Sequence, residues 1–210
     1  MKCALGLEVA NGYLAIGLWG DAGFSREKLL QLERGHAEYL LPEIISLLGE
    51  EKKNLVAIGV TRGPGSFSGI RIGLATAQAL SFGLELPVYS FSSLEIYGYV
   101  STLRPYLVLL STRNTQVYAV LYGTQGEMVW PQQSYAWPDL LLKLRDLAIP
   151  VTVTGPGVFR YAASLRELTH VQVDETRYCL PSGVEVARLA YQAKKEGQAD
   201  EQMALTPLYL

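Results

Sequence analysis

Cysteine is scarce in this chain: Cys3 and Cys179 are the only two among 210 residues. They lie too far apart for any metal-ligand spacing, which excludes a zinc ribbon, and they read as buried thiols of a reducing compartment. Histidine is equally rare. His36 and His170 form no local two-histidine motif and neither has a cysteine near it in sequence, so a metalloprotease is excluded as well. Charged residues make up 18% of the chain, below the usual ~25%. They divide into 18 basic and 20 acidic side chains, a formal net charge of -2. That balance gives no long-range attraction for phosphates, so contact with RNA needs a partner. Long apolar runs are missing too. The most hydrophobic helix candidate, residues 66–84, carries Arg71, and its uncharged stretch from Ile72 to Leu84 falls short of the ~20 residues that cross a bilayer. The start, Met1-Lys2-Cys3-Ala4-Leu5, has neither a charged region nor a long apolar core and does not read as a signal peptide. A cytoplasmic protein with no membrane contact is expected.

What the chain does have is apolar content, 49% of its residues, which predicts either unusually buried elements or an apolar interface. A chain of this length buries roughly 70% of its unfolded surface without disulfide support. Cys3 to Val9 and Tyr13 to Trp19 predict two antiparallel strands around an Asn11-Gly12 turn. Phe24 to Leu32 predicts a third. Residues 37–49 space Leu40, Leu41, Ile44, Ile45, Leu47 and Leu48 as a helix with a broad apolar stripe, with Pro42 in its first turn or at a kink. Leu55 to Thr61 reads as a strand covered on both faces, running through Gly63-Pro64-Gly65 into helix 66–84. Pro87 to Phe91 is a further strand and Leu94 to Leu103 a helix.

The second half repeats the order. Tyr106 to Ser111, Val117 to Tyr122 and Glu127 to Ser134 are strands, Pro138 to Leu147 a helix, Val151 to Thr154 a strand, and Gly155-Pro156-Gly157 precedes another helical segment. Val184 to Lys195 is a last amphipathic helix. The expected architecture is α/β, with two duplicated lobes, 1–104 and 105–210, each a mixed sheet with flanking helices. The last helix is a candidate to pack back on the first lobe. The duplication resembles the actin-like (ribonuclease H-like) ATPases and sugar kinases, a likeness of fold that does not settle function.

The densest chemical signal is Thr61 to Gly73. Glycines at Gly63, Gly65 and Gly69 let a backbone approach closely, and a helix start offers N–H groups that Ser66, Ser68 and Arg71 could complete into an anion or nucleotide site. No Gly-Lys pair exists for a Walker loop, and Ser68 stands where a dinucleotide fingerprint needs its third glycine. The competing explanation is packing. Gly65, Gly69, Gly73 and Ala77 fall four apart and form a smooth ridge, and a helix apolar all round must be buried all round. One sheet face cannot cover such a helix, so Leu40, Leu41, Ile44, Ile45 and Leu48 of the first helix, with Ile70, Gly73, Leu74 and Ala77 of the second, are the expected partner interface. A serine nucleophile elbow is absent, because neither Ser66 nor Ser68 has glycine two residues away on both sides. His36 reads as a helix-start residue bonded to backbone. Glu8, ending the first strand, is the acidic residue placed where an actin-like ATPase holds its metal-binding carboxylate, but Val9 and Ala10 supply no hydroxyl or phosphate-binding glycine. No metal and no cofactor are expected. Trp19, Trp130 and Trp137 do not interleave with a basic run and read as packing residues.

With these residues in view, Gly63-Pro64-Gly65-Ser66-Phe67-Ser68-Gly69-Ile70-Arg71-Ile72-Gly73 and the upstream His36-Ala37-Glu38-Tyr39-Leu40-Leu41-Pro42 closely resemble the TsaB (YeaZ) family of bacterial tRNA threonylcarbamoyladenosine biosynthesis proteins. The resemblance covers the N-terminal lobe and extends weakly through Gln116-Val117-Tyr118 and Thr206 to Leu210. It implies an actin-like fold without catalysis of its own, pairing with a catalytic TsaD-type subunit and joined by a TsaE-type ATPase. The assembly transfers threonylcarbamoyl to the adenosine beside the anticodon, so tRNA is met through the complex; for the chain alone, both a homodimer and no self-pairing stay open. Where the catalytic paralogue carries paired histidines, this chain reads Ser92-Ser93-Leu94-Glu95-Ile96-Tyr97. In the family the first two helices form the dimer interface. The chain departs from the family at Glu8-Val9-Ala10, at Ser111-Thr112-Arg113 and at its last residues, Tyr209-Leu210. The alternative of another class is an ATP-dependent phosphotransferase of the same fold.

Overall fold

The computed structural model describes residues 1–32, 34–100, 105–112, 115–176, 179–199 and 204–210, of which 98–100 as backbone alone. Arg113 and residues 101–104, on which the expected helix end and lobe boundary fall, lie outside them. The chain forms two compact units, one of Met1–Ile96 with Ser182–Tyr209 and one that begins at Tyr97 and runs to Pro181.

The first unit is built from β1 (Cys3–Glu8), β2 (Tyr13–Gly20), β3 (Ser25–Gln31), α1 (His36–Leu48), β4 (Leu55–Thr61), α2 (Phe67–Leu84), β5 (Val88–Phe91) and the start of α3 (Ser93–Val100). The second holds β6 (Tyr106–Ser111), β7 (Gln116–Tyr122), β8 (Met128–Ala136), α4 (Trp137–Arg145), β9 (Val151–Thr154), α5 (Val158–Arg166) and β10 (Val171–Val173). The last helix, α6 (Gly183–Lys195), belongs to the first unit. Strand order is β3-β2-β1-β4-β5 in one sheet and β8-β7-β6-β9-β10 in the other. In each, the first three strands are antiparallel and the last two parallel to the central one. The duplication is therefore one of topology as well as of element order. β10 escaped the sequence pattern because three residues show no alternation.

In the first sheet, most of the large aliphatic side chains share one face. Leu5, Leu7, Leu14, Ile16, Leu18, Ile58 and Val60 join Leu40, Ile44 and Leu48 of α1 and Ile70, Leu74 and Ala77 of α2 in one buried core. Ala4 and Ala57 meet Ala187, Ala190 and Tyr191 of α6 in another. α1 runs unbroken through Pro42, its seventh residue, so the proline sits beyond the first turn. The carbonyl it leaves without a helical donor belongs to Glu38, an exposed residue within reach of solvent.

The face under α6 is paved with glycine. Gly6 stands in register with Gly17 on one side and Gly59 on the other, giving a row across β2, β1 and β4. A Cβ on Gly6 would lie 2.1 Å from the Gly183 carbonyl oxygen, one on Gly17 2.0 Å from the Val184 nitrogen, and one on Gly59 2.7 Å from the Val186 carbonyl oxygen. The helix is seated backbone to backbone. Its first turn is held by Ser182, whose Oγ accepts from the Glu185 N–H (3.2 Å) and donates to Glu27 on β3 (2.8 Å). Trp19 meets Tyr191 edge-on at 5.2 Å, and the Tyr191 hydroxyl donates to Asp21.

Gly17→Ala drives a methyl group into helix backbone that cannot step aside, and the expected destabilisation reaches the upper end of the ~1–3 kcal/mol of overpacked cores. Gly83→Ala, in a helix with nothing within 4 Å of the added carbon, should instead stabilise by roughly 0.5–1 kcal/mol through backbone entropy. Urea denaturation of the two variants checks both signs.

Candidate functional site

In an open α/β sheet, ligands bind outside the carboxyl ends of the parallel strands. In the first unit three segments meet there: Glu8 and the turn after β1, the loop from Arg62 to Ser66 after β4, and Ser92-Ser93 after β5. They are tied by backbone, since the Ser66 N–H donates to the Ala10 carbonyl (2.6 Å) and the Ser93 N–H to the Gly63 carbonyl (2.8 Å).

Glu8 is fully buried. Its carboxylate accepts from the Ala10 N–H (2.9 Å), from the Asn11 side chain (3.0 Å) and from the Ser93 hydroxyl (3.3 Å). Burial pushes the carboxyl above its ordinary pKa, while the Thr61 hydroxyl and these donors pull it back. The residue that an actin-like ATPase would use for metal here holds the β1–β2 turn closed. Among the described residues, no three His, Cys, Asp or Glu side chains gather as a metal site.

The glycine-rich loop is occupied by its own chain. Gly63 has a φ of 101°, a left-handed backbone that glycine adopts freely. A Cβ on Gly65 would stand 2.4 Å from the Ala10 carbonyl oxygen, and one on Gly69 2.2 Å from the Val9 carbonyl oxygen. Gly65 and Gly69 are therefore packed against the backbone of the turn after β1, with no room for a side chain. Ser66 caps α2, its Oγ accepting from the Gly69 N–H (3.4 Å), and lies 3.4 Å from the Ser68 hydroxyl. Pro64 follows Gly63 through a cis peptide bond. Arg71 places its guanidinium over the Phe67 ring at 3.7 Å. The ridge of Gly65, Gly69, Gly73 and Ala77 faces inward, and a Cβ on Gly73 would lie 3.4 Å from the Val9 side chain and 3.6 Å from that of Val60.

The apolar helix residues divide sharply. Leu40, Ile44, Leu48, Ile70, Leu74 and Ala77 are buried in the core of their own unit and Gly73 is buried beside them, which leaves them no surface to offer. The reason is the sheet beneath, whose large side chains absorb the inner face of both helices. Leu41 (47% exposed) and Ile45 (63%) are the two of the expected set that reach the surface, and Tyr39, Phe67 and Phe82 are exposed with them. The last three went unselected in the sequence because an aromatic residue at a helix flank carries no periodic signal.

The remaining candidates have structural duties. His36 opens α1, its pKa lowered by burial and partly restored by a hydrogen bond with the Tyr13 backbone. Ser92 and Glu95 form a reciprocal cap at the start of α3: the Ser92 Oγ accepts from the Leu94 N–H (3.2 Å), and the Glu95 carboxylate accepts from the Ser92 N–H (3.1 Å). Trp137 stacks on Tyr161 at 3.9 Å, and Lys143 lies 4.3 Å above Trp130. Sequence reasoning missed the buried Asp174, which accepts from Thr154 (3.1 Å) and from the Thr176 hydroxyl (2.6 Å) and pins the loop after β10.

Residues 31–163 match the family model described as TsaD, tRNA N6-adenosine threonylcarbamoyltransferase. The tRNA threonylcarbamoyladenosine biosynthesis protein TsaB of Bacillus subtilis is 30% identical over 162 residues, covering 72% of this chain and 69% of that protein. TsaB of Buchnera aphidicola (subspecies Baizongia pistaciae) is 36% identical over 168 residues, 71% of this chain and 75% of its own length. Among solved structures, YeaZ from Pseudomonas aeruginosa superposes with a TM-score of 0.78 at 25% identity over 100% of both chains. A second Pseudomonas aeruginosa structure, described as similar to peptidase YeaZ, gives 0.80 at 26% identity, again over 100% of both chains. A Bacteroides thetaiotaomicron protein with an actin-like ATPase fold shares the fold alone, with a TM-score of 0.52 at 9% identity over 90% of this chain and 96% of its own.

The raised pKa of Glu8 fixes a sign. The folded state holds the proton more tightly than the unfolded chain, whose carboxyl titrates near 4.5. The stabilisation is complete below that value and is lost as pH rises through the higher folded pKa. Glu8→Gln keeps an acceptor for Ala10 and Asn11 without the charge, so its stability relative to the parent should rise as the pH climbs from about 4.5 through the neutral range. Glu8→Ala strands buried donors and should cost about 1–3 kcal/mol at every pH. Denaturation midpoints across that range check both.

Proposed function

The chain belongs to the TsaB family of tRNA threonylcarbamoyladenosine biosynthesis proteins, and from that premise we propose that it serves the modification as a non-catalytic subunit, docking through α1 and α2 onto a TsaD-type catalytic partner. The observation that carries this reading is the contrast between two regions of the first unit. At the strand ends, the groups a transferase or kinase would need are committed to the fold: Glu8 to its own turn, Ser92 and Glu95 to a helix cap, the glycine loop to two carbonyls. On the helices, large apolar side chains stand in solvent at Tyr39, Leu41 and Ile45, and such residues at the centre of an interface are what excludes water from it.

Both helices begin at the same end of the sheet. α2 leaves the end of β4 directly, and His36 at the start of α1 bonds to Tyr13, the first residue of β2. One partner surface can therefore span them. The same face would pair two copies when the partner is absent. A TsaE-type ATPase joins the assembly, and tRNA is reached through the complex, as the net charge of -2 suggests for a chain with little electrostatic pull on nucleic acid. The setting is cytoplasmic. Among the described residues no helix is long and apolar enough to cross a membrane. The phosphotransferase alternative gains nothing from a loop lined by Val9 and Ala10 carbonyls.

Leu41→Asp and Ile45→Asp place charge on exposed positions, so each variant should melt within about 2 °C of the parent. Each should weaken association with the catalytic subunit by about a hundredfold, through a desolvated, unpaired carboxylate. Titration calorimetry with the purified partner, with tRNA modification as the second readout, makes the check. Parental affinity in both variants overturns the docking assignment.

A further inference from the structure

The segment from Leu205 to Tyr209 returns to the glycine-rich loop and touches it at successive points. Leu205 packs against the core shared by α1, α2 and the sheet. The Leu208 N–H donates to the Arg62 carbonyl at 2.7 Å. The Leu208 carbonyl oxygen lies 2.8 Å from where a Cβ on Gly63 would be, so the loop and the segment are in main-chain contact. One residue on, the Tyr209 ring stacks on Phe67 with centroids 5.8 Å apart and planes 23° from parallel, and the Arg71 guanidinium covers the Phe67 ring as well. Phe67 is the first residue of α2, and both it and Tyr209 are more than half exposed, at 58% and 54%.

A ring exposed on the first turn of a helix, just after a glycine-rich loop, is ordinarily free to change rotamer. Here two planar groups hold it, and the backbone beside it is anchored through Arg62. An interface gains affinity when its side chains are ordered before the partner arrives. We propose that Leu205–Tyr209 is a clasp that fixes the glycine-rich loop and the first turn of α2 in the arrangement the catalytic partner recognises, with Leu208 and Tyr209 as positioning residues. This rests on the docking role of α1 and α2 given above.

The test uses the full chain with Tyr209→Ala, Tyr209→Phe and Leu208→Pro, the last removing the N–H that bonds to Arg62. Affinity for the catalytic subunit is measured by calorimetry, melting temperature in parallel, and amide exchange across Phe67–Gly69. Tyr209→Ala and Leu208→Pro should bind about three- to tenfold more weakly, the scale of one aromatic contact, with faster exchange in the first turn of α2. Tyr209→Phe keeps the ring and should restore parental affinity. Unchanged affinity in Tyr209→Ala, a loss that only tracks a fall in melting temperature, or failure of Tyr209→Phe to restore binding overturns the clasp. Leu41→Asp in the same series separates the two assignments. If it weakens binding while Tyr209→Ala does not, the clasp alone fails; if neither does, the docking face fails and the clasp with it.

Discussion

Three glycines side by side on neighbouring strands remove a layer of side chains from one face of the first sheet, and α6 moves into the space they leave. Gly17, Gly6 and Gly59 are met by Gly183, Ala187 and Ala190, at distances no larger residue would permit. The arrangement of the first unit follows from this approach. Because α6 lies so close to one face, most of the large aliphatic residues of β1, β2 and β4 are directed to the other, where two helices cover them. Those helices bury one stripe each and leave a second, apolar at Leu41 and Ile45, in solvent. The seating of α6 also fixes the point from which the chain turns back toward Arg62.

The Gly-Pro-Gly sequences of the two units have the same physical use. In the first, Gly65 and Gly69 close on the carbonyls of Ala10 and Val9; in the second, Gly157 donates its N–H to the Leu109 carbonyl (2.8 Å) and has no space for a Cβ beside it. A loop of this shape whose N–H groups face an empty hollow binds phosphate. Packed this closely on neighbouring backbone, it serves as a strand-to-helix joint.

Much of this was legible in the residues. β4, β6 and β9 were delimited to the residue, because uninterrupted apolar runs between turn signals leave little choice, and the topological duplication follows from element order. The glycine-rich segment was identifiable as a family motif, although the expectation that one sheet face cannot cover helix 66–84 did not foresee how fully Ile70, Leu74 and Ala77 are buried in their own unit. What could not be read was direction. Leu40 and Leu41, or Ile44 and Ile45, are equally apolar neighbours, and whichever member faces the sheet is decided by helix phase to a fraction of a turn. The glycine row was hidden for a different reason: Gly6, Gly17 and Gly59 are far apart in sequence and become one feature only when strand register aligns them. The contact of Leu208 with Arg62 is longer in range still, and nothing local announces it.

The strand order has a consequence for how copies of this protein can meet. A sheet edge with unpaired N–H and C=O groups is a template for aggregation unless it is blunted. Every edge here is guarded. β3 carries Arg26, Glu27 and Lys28 in succession, β8 contains Pro131 followed by two glutamines, and β5 and β10 are only four and three residues long. Fibril-like growth by strand addition is discouraged at all four, and association is left to side chains on helices, where shape can discriminate one partner from another.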